Sequence, residues 1–223
     1  MKQFSLFDIV GPDMIGPSSS HTAGAARISY MAGRIFGLPI RTVVFELHGS
    51  FAKTYKGHGS DKALLAGIMG IRHNDDRLRD AYELANDRVD FSFVKTDLGD
   101  VHPNTVRITM TSENGEISVV QGSSIGGGNA VITKIDDVDV EIDGMYDTLI
   151  TVHKDKPGMI VKQTTKLSEE NINIAFMKVY RETKGHNAIM VLETDESISK
   201  ESLKHLKSVE GVFKTTYIPR GGQ

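Results

Sequence analysis

The pattern of apolar and polar positions changes near residue 147, and the part of the chain that follows is the more regular. Apolar and β-branched residues concentrate in four stretches that predict strands, at 148–152, 173–181, 188–193 and 215–218. Residues spaced as on one helical face occur twice, at Ile160, Thr164 and Leu167 and at Leu203, Leu206 and Val209, the second set ending at Gly211. The order βαββαβ predicts a ferredoxin-like domain over residues 148–223.

Residues 1–147 alternate strand and helix signals and predict an α/β domain, so the whole chain falls in the α+β class. Strands are expected at 43–47, at 106–111 and in the stretch before Gly122. A helix rich in small residues is expected at 23–36, and a second helix is expected to be capped by Ser60 and Asp61. Alternating Val and Ile across 136–143 predict one more strand, with its carboxylates in solvent.

Composition and charge exclude several classes of protein. The 26 basic and 29 acidic residues give a formal net charge of −3, which does not support nucleic-acid binding through a basic face. The absence of cysteine excludes disulfides, a thiol nucleophile and a metal cluster held by thiolates of this chain. No apolar run approaches the roughly 20 residues of a membrane helix, and residues 4–8 are too short an apolar stretch for a secretory signal. We therefore expect a cytoplasmic protein.

The first candidate site is a run of hydroxyl and imidazole side chains immediately before the predicted helix, formed by Ser18, Ser19, Ser20, His21 and Thr22. Capping a helix requires only one of these hydroxyls. The free N–H groups and the dipole at a helix N-terminus favour an anion such as a carboxylate. We interpret the run as an anion pocket with His21 at its rim as a proton carrier or hydrogen-bond donor. The alternative is an ordinary helix cap.

A second cluster follows the strand at 43–47 and contains His48 and, between two glycines, His58. The flanking glycines leave the His58 ring uncrowded and allow a ligand to approach the backbone. An imidazole also titrates near neutral pH, so we favour a functional His58 over an idle surface loop. His48 is the weaker candidate, because it could simply end the strand.

A third cluster combines His102 and Asn104 with three consecutive glycines, Gly126, Gly127 and Gly128. Such glycines permit close approach by a small molecule, but they could equally form a bulge or a turn. The glycines match neither the dinucleotide-binding motif nor the P-loop. Nothing in the spacing of the histidines indicates zinc, so no metal site belonging to this chain alone is predicted.

Together these motifs resemble one family. The sequences Gly-Pro-Ser-Ser-Ser-His-Thr at 16–22, His-Gly-Ser-Phe at 48–51, Lys-Gly-His-Gly-Ser-Asp-Lys at 56–62 and the glycine triplet are similar to the β chain of bacterial two-subunit, iron–sulfur-dependent L-serine dehydratase. The C-terminal region resembles the ACT domain through Asp-Lys-Pro-Gly-Met at 155–159 and Asn-Ile-Asn-Ile at 171–174. The resemblance covers the entire chain. Tyr55 departs from it, because relatives often have glycine there.

The resemblance implies deamination of L-serine to pyruvate and ammonia by β-elimination, an L-serine ammonia-lyase activity. A [4Fe–4S] cluster held by cysteines of a partner α subunit would act as a Lewis acid on the leaving hydroxyl, and the chain would be active only with that subunit. The family pattern assigns substrate binding to Ser18, Ser19, Ser20 and Thr22. It assigns proton handling to His21 and His58, although which side chain removes the Cα proton stays open.

The resemblance also implies two further sites and a mode of assembly. The region 100–143 is similar to the allosteric substrate-binding fold, in which a serine site would be lined by His102, Asn104, Gly126, Gly127 and Gly128. ACT domains usually bind amino acids, and the expected ligand residues are Gly158, Met159, Asn171 and Asn173. ACT sheets often pair edge to edge, so homodimerisation through these domains is expected.

Two alternatives stay open. The chain could be a non-catalytic regulatory subunit that binds serine to control a partner enzyme. It could instead be a pyridoxal-phosphate dehydratase, with Lys53 or Lys62 forming the Schiff base and residues 126–129 holding the phosphate. The short stretch before residue 148 argues against that fold, because domains this small seldom bury such a cofactor.

Overall fold

The computed structural model describes residues 13–136, 138–181 and 183–220. They form two compact units: unit 1 contains residues 13–136 and 141–143, and unit 2 contains residues 138–140 and 144–220. The domain boundary expected after residue 147 stays a prediction. Residues 4–8, the apolar stretch judged too short for a secretory signal, lie outside the described residues. No helix in the described part of the chain is long and apolar enough to cross a membrane.

The first six strands form one mixed sheet in the order β2-β1-β3-β4-β5-β6. They are β1 (Ile40–Leu47), β2 (Asp90–Lys95), β3 (Thr105–Ser112), β4 (Ile117–Gly126), β5 (Asn129–Ile135) and β6 (Val138–Ile142). The helices are α1 (Gly24–Phe36), α2 (Gly49–Thr54), α3 (Ser60–Ile68) and α4 (Ala81–Ala85), with a π-helical turn at Ser19–Ala23 and a 3₁₀ turn at Asp76–Asp80. β1 and β2 are parallel, whereas the pairs β1–β3, β3–β4 and β4–β5 are antiparallel.

Small residues allow α1 to pack closely on its neighbours. A Cβ added to Gly67 of α3 would overlap the Ala26 carbonyl oxygen, and one added to Gly24 would overlap Ser124 of β4. The helix predicted at 23–36 is confirmed, and Gly37 ends it in the left-handed conformation with φ 71°. This packing holds the start of α1, and with it the π-helical turn, against β4.

The predicted cap of α3 is wrong. The N-cap position belongs to Gly59, which has φ 70° and no side chain to cap the helix. Ser60 and Asp61 are the first helical residues, and both are buried. The Asp61 carboxylate accepts a hydrogen bond from the Tyr82 hydroxyl at 2.8 Å, so it links α3 to α4 rather than serving as the N-cap.

Two strands differ from the prediction. β2 is not among the strands predicted from the sequence, although Phe91 and Phe93 alternate with polar residues there. In the structure Phe93 stacks on Phe45 of β1, with 5.0 Å between the ring centroids. In the acidic stretch, β6 begins only at Val138. The carboxylate of Asp136 is not simply solvated, because it accepts hydrogen bonds from the Ser118 hydroxyl at 3.0 Å and the Val119 N–H at 2.9 Å.

Unit 2 has the predicted βαββαβ order and a ferredoxin-like fold. Its elements are β7 (Asp147–Lys154), α5 (Met159–Glu169), β8 (Ile174–Arg181), β9 (Asn187–Thr194), α6 (Lys200–Ser208) and β10 (Val212–Ile218). The antiparallel sheet has the order β10-β7-β9-β8. Leu149 and Leu192 of the sheet form the core with Leu167 of α5 and Leu206 of α6.

The predicted face of α5 is confirmed at Leu167 and lies one residue from the buried face at the other two positions. The buried side chains are those of Met159, Gln163 and Leu167, whereas Ile160 is 39% exposed. Met159 is the first helical residue after left-handed Gly158, and its sulfur lies 3.3 Å from the position of a Cβ at Gly211. Similarly, α6 ends before Val209, which is extended.

Candidate active site

The hydroxyl and imidazole run lies at the N-terminus of α1, beside α2. Ser18 is the N-cap of the π-helical turn, and its hydroxyl oxygen accepts a hydrogen bond from the His21 N–H at 3.2 Å. The His21 ring contacts the Phe51 ring of α2, with 5.5 Å between centroids, and the His58 ring, with 4.7 Å between centroids. The fold therefore brings the two predicted proton-handling histidines into edge-to-face contact.

Both ring nitrogens of His21 lie close to serine hydroxyls. Nε2 is 2.9 Å from Ser50 Oγ, and Nδ1 is 3.4 Å from Ser18 Oγ. Partial burial, and then the neighbouring His58, lower the pKa of His21 below its ordinary value of 6.5. The imidazole is therefore neutral at pH 7 and able to accept a proton.

One ring nitrogen of His58 has no hydrogen-bond partner among the described residues. This atom, Nδ1, is buried. The His58 backbone is fixed, because the N–H donates to the Thr54 carbonyl at 3.0 Å and the carbonyl accepts from the Thr22 hydroxyl at 3.0 Å. A buried polar atom without a partner costs free energy, so a ligand or water that bonded Nδ1 would be stabilised.

Apart from Ser18, which caps the π-helical turn, the predicted substrate-binding hydroxyls fall into two groups. Ser19 and Ser20 are half-buried in the first helical turn, where the N–H groups have no partner within a helix and an anion is stabilised. Thr22 is buried, and its hydroxyl donates to the His58 backbone. Thr22 thus fixes the His58 loop relative to the π-helical turn.

The sequence departure at Tyr55 leaves this loop undisturbed. Tyr55 has φ −54° and ψ −39°, a helical conformation that requires no glycine. Its ring packs near Phe93 of β2, with 5.8 Å between centroids.

Lys62, one of the two lysines considered for a Schiff base, is exposed and donates to the Arg79 carbonyl at 2.8 Å.

Asn104 of the third cluster lies at the same end of the sheet as the histidine pair. Its carbonyl accepts a hydrogen bond from Ser124 N–H at 2.9 Å, and its neighbour Pro103 accepts one from Ser50 N–H at 2.8 Å. Asn104 Oδ1 is buried and has no partner within the described residues. His102 is exposed, and its Nδ1 accepts from Asn104 N–H at 3.1 Å, so that nitrogen serves the loop itself.

The glycine triplet forms the turn between β4 and β5. Gly126, Gly127 and Gly128 have φ of 102°, 60° and 81°, a conformation that side-chain-bearing residues rarely adopt. Arg27 of α1 donates a hydrogen bond to the Gly128 carbonyl at 2.6 Å. The turn is therefore held against the helix that carries His21 at its start.

The four residues predicted to bind a ligand in unit 2 lie in two separate places. Gly158 and Met159 are at the N-terminal end of α5, and Asn171 and Asn173 follow its C-terminal end, about 16 Å away for a helix of 11 residues. The two asparagines line an open groove, together with Thr164, Thr165, Ser168, Glu169, Ile172 and Ile174. Within one unit, therefore, these residues do not form a single pocket.

Two residues at the site were not singled out as candidates from the sequence. Ser50 stands on the first turn of α2 and contacts His21, and Phe51 supports the ring of the same histidine. A hydroxyl just after His48-Gly49 at the end of a strand is the one available signal for Ser50. The sequence does not encode which other turn that hydroxyl meets.

Comparisons with known proteins agree with the resemblance. The family model for the serine dehydratase beta chain matches residues 3–87, and the model for the ACT domain matches residues 146–211. Over 80 residues, or 34% of this chain and 17% of that protein, the chain is 41% identical to the L-serine dehydratase of Helicobacter pylori.

Two relatives match over nearly their full length. The chain is 40% identical over 219 residues to the "Probable L-serine dehydratase, beta chain" of Bacillus subtilis, which covers 98% of this chain and 99% of that protein. It is 37% identical over 220 residues to the "L-serine dehydratase, beta chain" of Peptoniphilus asaccharolyticus, with coverage of 98% and 99%. The chain therefore belongs to the family of L-serine dehydratase beta chains.

Proposed function

We propose that this chain, assembled with an α subunit, deaminates L-serine to pyruvate and ammonia by β-elimination. The observation that carries the proposal is the contact between His21 and His58 at a helix N-terminus lined with serine hydroxyls. β-Elimination requires a base for the Cα proton and an electrophile for the departing hydroxyl. The site contains candidate bases, and the family to which the chain belongs is named for the dehydration of serine.

A [4Fe–4S] cluster does not fit the residues of this chain alone. The sequence contains no cysteine, and the described residues contain no group of three or more His, Asp or Glu side chains placed to hold a metal. We therefore propose that the cysteines of the α subunit hold the cluster. Bound there, the cluster would supply Lewis acidity toward the serine hydroxyl.

The part played by this chain follows from its own groups. Ser19 and Ser20, with the first N–H groups of the π-helical turn, would receive the substrate carboxylate. His21, neutral at pH 7 because burial lowers its pKa, would accept a proton. The partner-free Nδ1 of His58 would hydrogen-bond the substrate or hold a second proton.

The test is serine deamination by the complex purified from co-expressed α and β chains, with an iron assay on the same preparation. We expect His21→Ala and His58→Ala each to lower kcat about 10²–10⁴-fold, the usual contribution of a general acid or base. Assembly and iron content should stay unchanged. His186→Ala is the matched control, because His186 is exposed in unit 2.

Two outcomes would overturn this proposal. Pyruvate formation by the β chain alone would contradict the need for the α subunit. Unchanged turnover in both histidine variants, with altered cooperativity toward serine, would favour a regulatory subunit. Such a serine-sensing subunit would use Asn104 Oδ1, which is buried without a partner among the described residues.

We also propose that unit 2 forms homodimers through β8. This strand lies at the edge of the sheet, and it exposes Phe176 (52%), Met177 (47%) and Val179 (39%). An exposed apolar edge strand favours pairing with another chain. Pairing could also bring ligand residues of two copies together. Val179→Lys should shift the chain toward the monomer in light scattering, and an unchanged mass would contradict the assignment.

A further inference from the structure

The hydroxyl of Ser50 lies 2.9 Å from His21 Nε2, and no role in the reaction is assigned to it above. We propose that Ser50 is a positioning residue, which holds the His21 imidazole in one orientation through this hydrogen bond. The catalytic effect of this contact rests on the proposed function. The contact between Ser50 and His21 itself involves this chain alone.

Ser50 is itself rigidly held. Its N–H donates to the Pro103 carbonyl at 2.8 Å, and its carbonyl accepts from the Thr54 hydroxyl at 2.8 Å. Gly49, the residue before it, has φ 55°, and a Cβ there would lie 2.6 Å from the Pro103 carbonyl oxygen. The Ser50 backbone is thus fixed against the loop before β3. A hydrogen bond orients its partner well when the group that makes it cannot move.

The other contacts of His21 hold the plane of its ring but do not fix which ring nitrogen faces α2. Phe51 and His58 meet the ring at its edge or face, with centroids 5.5 and 4.7 Å away, and these contacts do not distinguish the two nitrogens. On Nδ1, the Ser18 hydroxyl is at 3.4 Å and already accepts from the His21 N–H. The shorter bond to Ser50, whose hydroxyl can donate to Nε2 or accept from it, is therefore the stronger determinant of the ring orientation.

The consequence for the reaction is specific. A base is effective only when its lone pair faces the proton that it takes. Because Ser50 fixes the orientation of the His21 ring, removing its hydroxyl lowers kcat and leaves KM nearly unchanged. The carboxylate-binding hydroxyls of Ser19 and Ser20 are not altered by that change.

The experiment has two arms. In the isolated β chain labelled with ¹⁵N-histidine, the shift of the His21 Nε2 nitrogen reports its hydrogen bond with Ser50, with His21→Gln used for assignment. We expect the Nε2 shift of the parent chain to change in Ser50→Ala and to recover in Ser50→Thr, which keeps the hydroxyl. In the assembled complex, Ser50→Ala should lower kcat about tenfold, the effect of one lost hydrogen bond, and Ser50→Thr should restore most of it.

Ser92→Ala is the control, because Ser92 is an exposed residue of β2; it should match the parent in both arms. An unchanged Nε2 shift in Ser50→Ala would overturn the inference, whatever the activity shows. A changed Nε2 shift without a tenfold loss of kcat would confine Ser50 to a structural contact and overturn its positioning role. A complex that does not deaminate serine at all would refute the proposed function, while the nitrogen shifts would still decide the contact between Ser50 and His21.

Discussion

Each unit contains a strand followed by a left-handed glycine and a helix: β1, Gly49 and α2 in unit 1, and β7, Gly158 and α5 in unit 2. In unit 1 this junction is closed, because Gly49 packs on Pro103 and the next N–H donates to the Pro103 carbonyl. In unit 2 a Cβ at Gly158 would meet nothing within 4 Å. The same order of strand, glycine and helix therefore gives a rigid junction in unit 1, which orients Ser50, and an open junction in unit 2.

The difference extends to buried polar groups. Thr105, beside the closed junction, donates its hydroxyl hydrogen to the His102 carbonyl and lies 2.7 Å from the Ser123 hydroxyl. In unit 2 the buried hydroxyl of Thr151 has no hydrogen-bond partner in the described part of the chain. Thr105 thus fixes backbone near the site of unit 1, whereas the Thr151 hydroxyl fixes no backbone among the described residues of unit 2. Substitutions that are matched between the units test this contrast.

The largest difference is expected between Gly49→Ala and Gly158→Ala. Both replace a glycine with positive φ, 55° and 87°, which costs about 1–2 kcal/mol for an L residue. At Gly49 the new methyl group must also displace the Pro103 backbone, so we expect a total loss of about 3–4 kcal/mol. Gly158→Ala should cost only about 1 kcal/mol.

Methionine oxidation resolves the two units during urea unfolding. Met110 of β3 and Met190 of β9 are both fully buried, so each becomes oxidised as its own unit unfolds. Gly49→Ala should lower the urea midpoint read at Met110, and Gly158→Ala should lower slightly the midpoint read at Met190. Equal losses for the two variants would show that the unit 1 junction is no more tightly packed than that of unit 2.

The next largest effect is a loss of stability of unit 1 on mild acidification. Burial, followed by the charge of Arg27, lowers the pKa of His73 from 6.5 to about 4. Between these values the unfolded chain binds the proton and the folded chain does not, so the stability present above pH 6.5 is lost as the pH falls toward 4. The shift corresponds to about 3 kcal/mol. The Met110 midpoint, measured at pH 7, 5.5 and 4.5, should fall steadily.

His73→Gln should flatten that dependence, because glutamine does not titrate. In unit 2, a hydrogen bond from the Gly185 N–H lowers the pKa of Asp155 below its ordinary value of 3.8. A hydrogen bond from Ser202 lowers the pKa of Glu170 below its ordinary value of 4.5. Protonation of these two groups therefore destabilises unit 2 only at lower pH. The exposed His186 of unit 2 provides the control variant His186→Gln. If the Met110 midpoint fell equally with pH in the parent and in His73→Gln, His73 would not be the cause of the acid sensitivity.

The sequence was sufficient where a local pattern determines the outcome. Gly37 ends α1 because only a left-handed residue fits there, and the βαββαβ order of unit 2 follows from the spacing of its apolar runs. Part of the face of α5 was misplaced because Ile160 and Met159 are both apolar, and their spacing does not indicate that Met159 is the buried one, which packs beside Gly211.

The candidate site divides in the same way. The hydroxyl run before a helix and the uncrowded His58 are local signals, and the sequence indicated both. That the His21 ring meets both His58 and Ser50 depends on packing between the π-helical turn, the His58 loop and α2. Such long-range contacts leave no periodic trace in the chain, which is why Ser50 received no role.

A smaller loss is expected for Thr105→Val. The substitution keeps the shape of the side chain but removes the hydroxyl, which leaves the buried Ser123 hydroxyl and the His102 carbonyl each without a partner from Thr105. Losing such bonds in a buried position costs about 1–2 kcal/mol. The Met110 midpoint should therefore fall and the Met190 midpoint should stay the same. A fall at both methionines would mean that the two units unfold together.

The smallest effect, and one of opposite sign, is expected for the matched change in unit 2, Thr151→Val. Thr151 is fully buried on β7, opposite Thr215 of β10, and its hydroxyl has no partner among the described residues. Valine removes an unsatisfied hydroxyl at constant shape, so the Met190 midpoint should stay unchanged or rise by the equivalent of about 1 kcal/mol. A fall of the size seen for Thr105→Val would mean that Thr151 binds an internal water, and the contrast between the units would not extend to this group.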